Sequence, residues 1–218
     1  MGGDFEEIAD RVAGAAQHPG RVLVAIDGVG ASGKSTFAAN LARQVDARHI
    51  VLLHVDDFFN PSVVRHARGR LSPEGFWLDS YNYAALITSA LRPLAASGVG
   101  LYCATSLDQE ADRVALSSPV QAPEDALVLV EGTFLHRGEL VPFWDYSIYL
   151  DVAFAEAGRR LHQRNGTDAS TAPGLTSRYA CTSPPVPRGT APRSSSITPT
   201  STTRKSSTLT MPARPAER

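Results

Sequence analysis

The chain has 218 residues, 43% of them hydrophobic, and a formal net charge of -1 at pH 7, which fits one globular domain of ordinary size and points to no nucleic-acid or membrane partner. The sequence has neither an apolar run near the ~18 residues of a membrane span nor a charged-then-apolar leader, so a cytoplasmic location is expected. Two cysteines, Cys103 and Cys181, exclude a disulfide framework and have no metal-binding spacing.

Residues from about Phe5 to Gln17 read as an amphipathic helix with Phe5, Ile8 and Val12 on one side. A strand is expected over 21–27, carrying the apolar run Val22-Leu23-Val24-Ala25-Ile26. It leads into Gly28-Val29-Gly30-Ala31-Ser32-Gly33-Lys34-Ser35, the Gly-x4-Gly-Lys-Ser pattern of a phosphate-binding P-loop, and a helix is expected over roughly 34–47. A second strand, Ile50 to Val55, runs into Asp56-Asp57-Phe58-Phe59. The stretch 61–76 reads as irregular, 80–96 as a helix, and Val99 to Ala104 as a strand. Ala126-Leu127-Val128-Leu129-Val130 has the nearly unbroken apolar character of a strand buried on both faces, and it ends in Glu131-Gly132. Ser147 to Leu150 is a further strand ending at Asp151, followed by an arginine-rich helix over 153–164. This alternation predicts an α/β fold, a P-loop NTPase-type three-layer domain with a mainly parallel sheet. The domain is expected over 1–168. Of the last fifty residues 27 are Ser, Thr or Pro and one is acidic, too little apolar surface to offset ordering entropy, so 169–218 are expected to be disordered.

The P-loop needs its residue types for physical reasons. Gly28, Gly30 and Gly33 permit backbone angles that turn successive N–H groups toward a phosphate chain, and the following helix adds the positive end of its dipole. Gly28, Gly30, Ala31, Ser32, Gly33, Lys34, Ser35 and Thr36 are therefore the expected nucleotide contacts. Lys34, the only lysine before residue 205, supplies charge to the β- and γ-phosphates, and Ser35 supplies a hydroxyl to Mg²⁺.

Three strand ends bring carboxylates to the edge of the sheet where ligands bind in parallel α/β folds. Asp56 or its neighbour Asp57 can accept a proton from an attacking hydroxyl, or bind Mg²⁺ through water; adjacent residues in an extended segment face opposite ways, so one of the two is expected to act. Glu131 stands where a metal-orienting acid fits, or it caps the next turn. Asp151 reads as a helix cap. Arg159, Arg160 and Arg164 either clamp transferring phosphates or form a solvated helix face. His54, His66 and His136 show no metal spacing and read as structural or exposed. Phe58, Phe59, Phe76, Trp77, Tyr81 and Tyr83 either stack on a flat ligand or pack in the core.

Val24 to Ser35, Asp56-Asp57-Phe58-Phe59, Trp77-Leu78-Asp79-Ser80-Tyr81 and Val130-Glu131-Gly132, in that order, resemble the uridine kinase-like group of P-loop kinases, the phosphoribulokinase/uridine kinase family. The resemblance covers about residues 20–165. It implies transfer of the ATP γ-phosphate to a primary hydroxyl of a small molecule, typically a nucleoside, with ATP and Mg²⁺ as cofactors. It implies Asp56 as general base, Asp79 in the segment that holds sugar hydroxyls, Glu131 with Mg²⁺, and Arg159, Arg160 and Arg164 in a lid over about 153–168. The chain departs from it where uridine kinases carry His-Pro after the Asp, since Ser80 and Tyr81 stand there. It departs again after the lid, where the family continues with a helix and an apolar strand ending in Asp. One reading of the tail is a frameshifted translation beginning near Tyr179, because with GC-rich codons assumed, sliding the frame of Ser194 to Lys205 by one base can yield a strand-plus-acid run.

Overall fold

The computed structural model describes residues 2–45, 48–165 and 208–210. A five-stranded parallel sheet forms its centre, from β1 (Val22–Gly28), β2 (Ile50–His54), β7 (Leu127–Gly132), β8 (Tyr146–Asp151) and β9 (Thr208–Thr210), in the order β2-β7-β1-β8-β9. β1 and β7 are buried along their whole length, as their apolar runs require.

Alternation within these strands feeds two apolar layers. Val22, Val24 and Ile26 of β1 with Leu127 and Leu129 of β7 face α1 (Gly2–Ala15) and α2 (Lys34–Gln44), where Ile8, Val12, Phe37 and Leu41 are buried. Leu23, Ala25, Val128 and Val130 face the opposite layer, which contains Phe58, Leu86, Leu91, Leu94 and Trp144. The expected three-layer α/β domain with a mainly parallel sheet is thus the observed one.

Between the main strands the expected elements are revised in places. The stretch 61–76 is irregular only in part: it carries α3 (Ser62–Arg65) and most of α4 (Pro73–Asp79), with turns over 66–72. The start of α4 has a local cause, since Ser72 accepts a hydrogen bond from the Gly75 N–H at 3.0 Å and Pro73 occupies the first turn. The expected 80–96 helix is present as one continuous helical run over 83–94, made of α5 (Tyr83–Ala85), a π-helical turn (Leu86–Leu91) and α6 (Arg92–Leu94). Pro93 has no N–H to give to the Ser89 carbonyl, and the Cys103 N–H takes that carbonyl instead at 2.8 Å. The expected 99–104 strand is reduced to β3 (Leu101–Tyr102), paired with β6 (Val120–Gln121), and β4 (Leu107–Asp108) pairs with β5 (Arg113–Val114). α7 (Phe154–Asn165) follows β8.

Within the segment expected to be disordered, Thr208–Thr210 pair with Tyr149–Asp151 as β9, on the backbone groups that β8 presents at its outer edge. The remainder of 169–218, the domain boundary at 168 and the frame change near Tyr179 lie outside the described residues. No helix among the described residues is long and apolar enough to cross a membrane.

Candidate functional site

The carboxyl ends of β1, β2 and β7 meet at one edge of the sheet, and each is followed by a segment that carries a polar group. After β1, residues 29–33 turn into α2 with Gly33 at the helix N-cap in the left-handed region (φ 96°), a conformation that a Cβ would strain. Gly30, expected to supply another such angle, does not; Ala31 takes it at φ 60°. The Lys34 ammonium, buried at 8% exposure, donates to the carbonyls of Gly28 and Val29 at 3.0 Å each, so it is folded into the loop's concave side. Ser32 lies wholly buried in the same loop, with no hydrogen-bond partner for its hydroxyl. A buried hydroxyl without a partner, beside an ammonium group in a glycine-bearing loop, suits a phosphate chain, whose oxygens can accept from both. Thr36 follows on an exposed part of the first helical turn.

Ser35 reaches across to β7: its hydroxyl donates to Glu131 Oε1 at 2.9 Å. The same oxygen lies 2.6 Å from His54 Nδ1, and since a carboxylate only accepts, that ring nitrogen carries the proton. The parallel register sets His54 directly beside Glu131. Glu131 is 7% exposed and His54 is half open to solvent. Asp57 lies close enough to feel both. Burial raises its carboxyl above the ordinary range, the protonatable His54 opposes this, and the negative fields of Asp56 and Glu131 add to it. Among the described residues no group of three or more His, Cys, Asp and Glu side chains converges to hold a metal ion alone. Magnesium does not need such a cage, because it keeps several waters and binds through one or two protein groups plus phosphate oxygens. Ser35 and Glu131 fit that pattern.

Asp56 sits on the 3₁₀ turn Val55–Phe58 that continues β2. Its Oδ1 accepts from the Tyr81 hydroxyl at 2.9 Å. The extended segment expected at Asp56 and Asp57 is instead this 3₁₀ turn, and Asp57 lies in the fields of His54, Asp56 and Glu131. Tyr81 pairs back to back with Phe59 through a single β-bridge, their rings stacked at 4.7 Å. Asp79, at the end of α4, is ion-paired with Arg68, and its carbonyl accepts from Asn60 Nδ2 at 2.9 Å. The aromatic residues around Asp56 pack mainly on protein. Phe58 is fully buried, Arg65 lies 5.0 Å over Phe59, and Phe76 and Trp77 meet Phe134 edge-on.

The arginines of α7 are held locally: Arg159 and Arg160 both pair with Glu156. The side chain of Arg164 lies outside the described residues. Asp151 ends β8 with its side chain exposed. Sequence reasoning gave no role to Asp27 or Arg137, read His54 as structural or exposed, and read Tyr81 as a stacking or core ring; all four bind groups at this edge. A signal existed for two of them. Asp27 is an acid closing a wholly apolar strand, and His54 occupies the strand end that precedes Asp56.

No protein-family model matches the chain. Solved structures do. A protein described as a possible uridine kinase from Bacillus stearothermophilus is 22% identical with a TM-score of 0.56, the match covering 76% of this chain and 94% of that one. A protein assigned as a fructose transport system kinase from Silicibacter sp. TM1040 is 24% identical with a TM-score of 0.59, covering 78% and 88%. D-glycerate 3-kinase from Cryptococcus neoformans is 10% identical with a TM-score of 0.52, covering 80% and 85%. With the parallel sheet order and the loop between β1 and α2, these likenesses give the chain the fold of the uridine kinase-like P-loop kinases.

Proposed function

We propose that the chain is an ATP- and Mg²⁺-dependent phosphotransferase acting on a primary hydroxyl of a small molecule, with a nucleoside-like alcohol as the first candidate acceptor. The observation that carries this reading is the 2.9 Å bond from Ser35 to Glu131, beside the buried Lys34 and one strand away from Asp56. ATP supplies the transferable phosphoryl group, and Mg²⁺ neutralises charge on the phosphate oxygens. The residues supply the rest. Lys34 and the amides of 28–36 bind the phosphates; Ser35 and Glu131 orient the cation. Asp56 accepts the proton of the acceptor hydroxyl as its oxygen bonds to the γ-phosphorus and the bond to ADP breaks. Asp79 serves the acceptor's other hydroxyls once Arg68 yields. Arg159 and Arg164 neutralise developing charge if α7 closes, which for Arg159 means exchanging Glu156 for phosphate.

The packing of Phe59, Phe76, Trp77 and Tyr81 on protein gives a reason to look beyond nucleosides, because a base stacking here would displace an existing partner. The test is ADP release with nucleosides, pantothenate, glycerate and sugar phosphates as acceptors. Acceptor-dependent release that is lost in Lys34→Ala supports the proposal; no release with any acceptor, from a chain that binds Mg-ATP, sinks it.

A second reading is a nucleotide-binding protein without kinase turnover. It is favoured by the Ser/Thr/Pro tail, which stands where the resemblance implies a helix and an acid-terminated strand. The gene sequence separates a frame change from a native tail, and turnover gained by a chain restored in the alternative frame would assign the loss to the tail.

A further inference from the structure

Asp27 closes β1 and is 4% exposed, yet no lysine or arginine pairs with it among the bonds of this edge. Its carboxylate instead accepts four hydrogen bonds. Oδ1 takes the N–H groups of Gly28 at 2.7 Å and Phe134 at 3.1 Å; Oδ2 takes the His136 N–H at 3.0 Å and His136 Nδ1 at 2.7 Å. Four donors compensate a buried charge that would otherwise be costly. The ladder between β1 and β7 ends at the Asp27–Gly132 pair. The bonds to 134 and 136 therefore reach past the sheet, into the segment that follows Glu131.

That segment is backbone-strained and clamped at its other end. Phe134 holds φ 70°, a region a bulky residue rarely occupies unless its surroundings over-determine it. Asp27 fixes its N–H, and its ring is wedged edge-on against Phe76 at 5.1 Å and Trp77 at 4.9 Å. Three residues on, Arg137 donates to the Trp77 carbonyl at 2.6 Å, with its guanidinium 4.0 Å over the Trp77 ring and 4.5 Å over Tyr83. Trp77 belongs to α4, whose end leads through Asp79 and Ser80 to Tyr81, the residue bonded to Asp56.

We propose that Asp27 is a positioning residue: through residues 134–137 it holds α4 and the Tyr81–Asp56 pair in register with the first residue of the phosphate loop. The purpose of that register rests on the kinase reading above; the coupling itself does not. Both oxygens of Asp27 are engaged by residues 28, 134 and 136, and it acts through Phe134 and Arg137.

The experiment is hydrogen exchange on the full chain, with Mg-ADP affinity measured by calorimetry. Asp27→Asn turns an acceptor oxygen into an N–H₂ group facing donors. Amide exchange in 73–82 should then speed up by about tenfold or more, while exchange in α2 and Mg-ADP affinity change by less than about threefold. Arg137→Met should speed exchange in 73–82 and leave β1 unaltered, and Arg137→Lys, which can still donate to the Trp77 carbonyl, should restore it. Unchanged exchange in 73–82 in either Asp27→Asn or Arg137→Met overturns the proposal, as does a uniform loosening that includes α2. If Asp27→Asn does not fold, the Arg137 pair decides alone. None of these readings needs an acceptor, so failure of the acceptor screen would remove the kinase reading and leave this one standing.

Discussion

The Tyr81 hydroxyl donates to Oδ1 of Asp56 across 2.9 Å, from a tyrosine that is only 4% exposed. Where the resemblance implies His-Pro after the position of Asp79, this chain has Ser80-Tyr81, so the Asp56 carboxylate is held by a group the resemblance does not supply. Tyr81→Phe keeps the ring stacked on Phe59 and removes that bond. A hydrogen bond to a charged group contributes roughly 1.5–3 kcal/mol, so acceptor-dependent turnover should fall about tenfold or more, with Mg-ADP affinity unaltered. Turnover within twofold of the parent would show that Asp56 needs no such steering.

Glu131 divides one oxygen between Ser35 and His54. If it orients a cation, its effect appears in the difference between ADP affinities measured with and without Mg²⁺. Glu131→Gln retains the shape and an acceptor for Ser35 but not the charge. The magnesium-dependent gain should shrink by about 10- to 100-fold, the range found when groups that orient a metal site are changed, while magnesium-free ADP binding stays the same. An equal loss in both titrations would instead make Glu131 a structural support for the loop.

The sheet was legible because its evidence is local. Apolar runs at 22–26 and 127–130 need no tertiary information to be read as buried strands, and the Gly-x4-Gly-Lys-Ser step fixes the turn between β1 and α2. The acceptor side was not, because its order comes from distant partners. Leu86–Leu91 winds as a π-helical turn where Cys103 captures the Ser89 carbonyl, and Phe134 adopts its left-handed backbone where Asp27 holds its N–H. Both ties join residues far apart in sequence, where periodicity carries no information. Asp56 and Glu131 could be named from their strand ends; that Tyr81, His54 and Asp27 would be their neighbours could not. The α7 arginines illustrate the opposite limit, since their spacing to Glu156 favours the local pairing observed as strongly as any role over phosphates.

Gly132 lets β7 approach the turn that carries Asp56. A Cβ at 132 would stand 2.6 Å from Val55 Cβ and 2.8 Å from its Cγ2, with Val55 itself fully buried. Gly132→Ala should therefore cost about 1–3 kcal/mol in urea unfolding, the usual range for overpacking, and should displace Asp56 enough to lower turnover. Val55→Ala in the same chain removes the Cγ2 contact but keeps the Cβ one at 2.6 Å, so it should recover only a small part of either loss. Full stability in the single variant would mean that β7 and the 55–58 turn can separate freely.

Asp145 gives a stability prediction away from the site. Burial raises its carboxyl above the ordinary aspartate value, against a hydrogen bond from the Leu23 N–H at 2.8 Å and the field of His18, both of which lower it. The folded chain thus binds this proton more tightly than the unfolded chain does. Stability must then decline as pH rises from the unfolded value near 3.8 through the raised folded one, and the deficit persists at neutral pH. Asp145→Asn retains an oxygen for the Leu23 N–H and carries no charge. Its urea midpoint should exceed that of the parent at about pH 7, and the gap should close at about pH 3.5, where the parent carboxyl is protonated in the folded state. A gap of the same size at both pH values would trace the effect to packing and remove the buried charge as its cause.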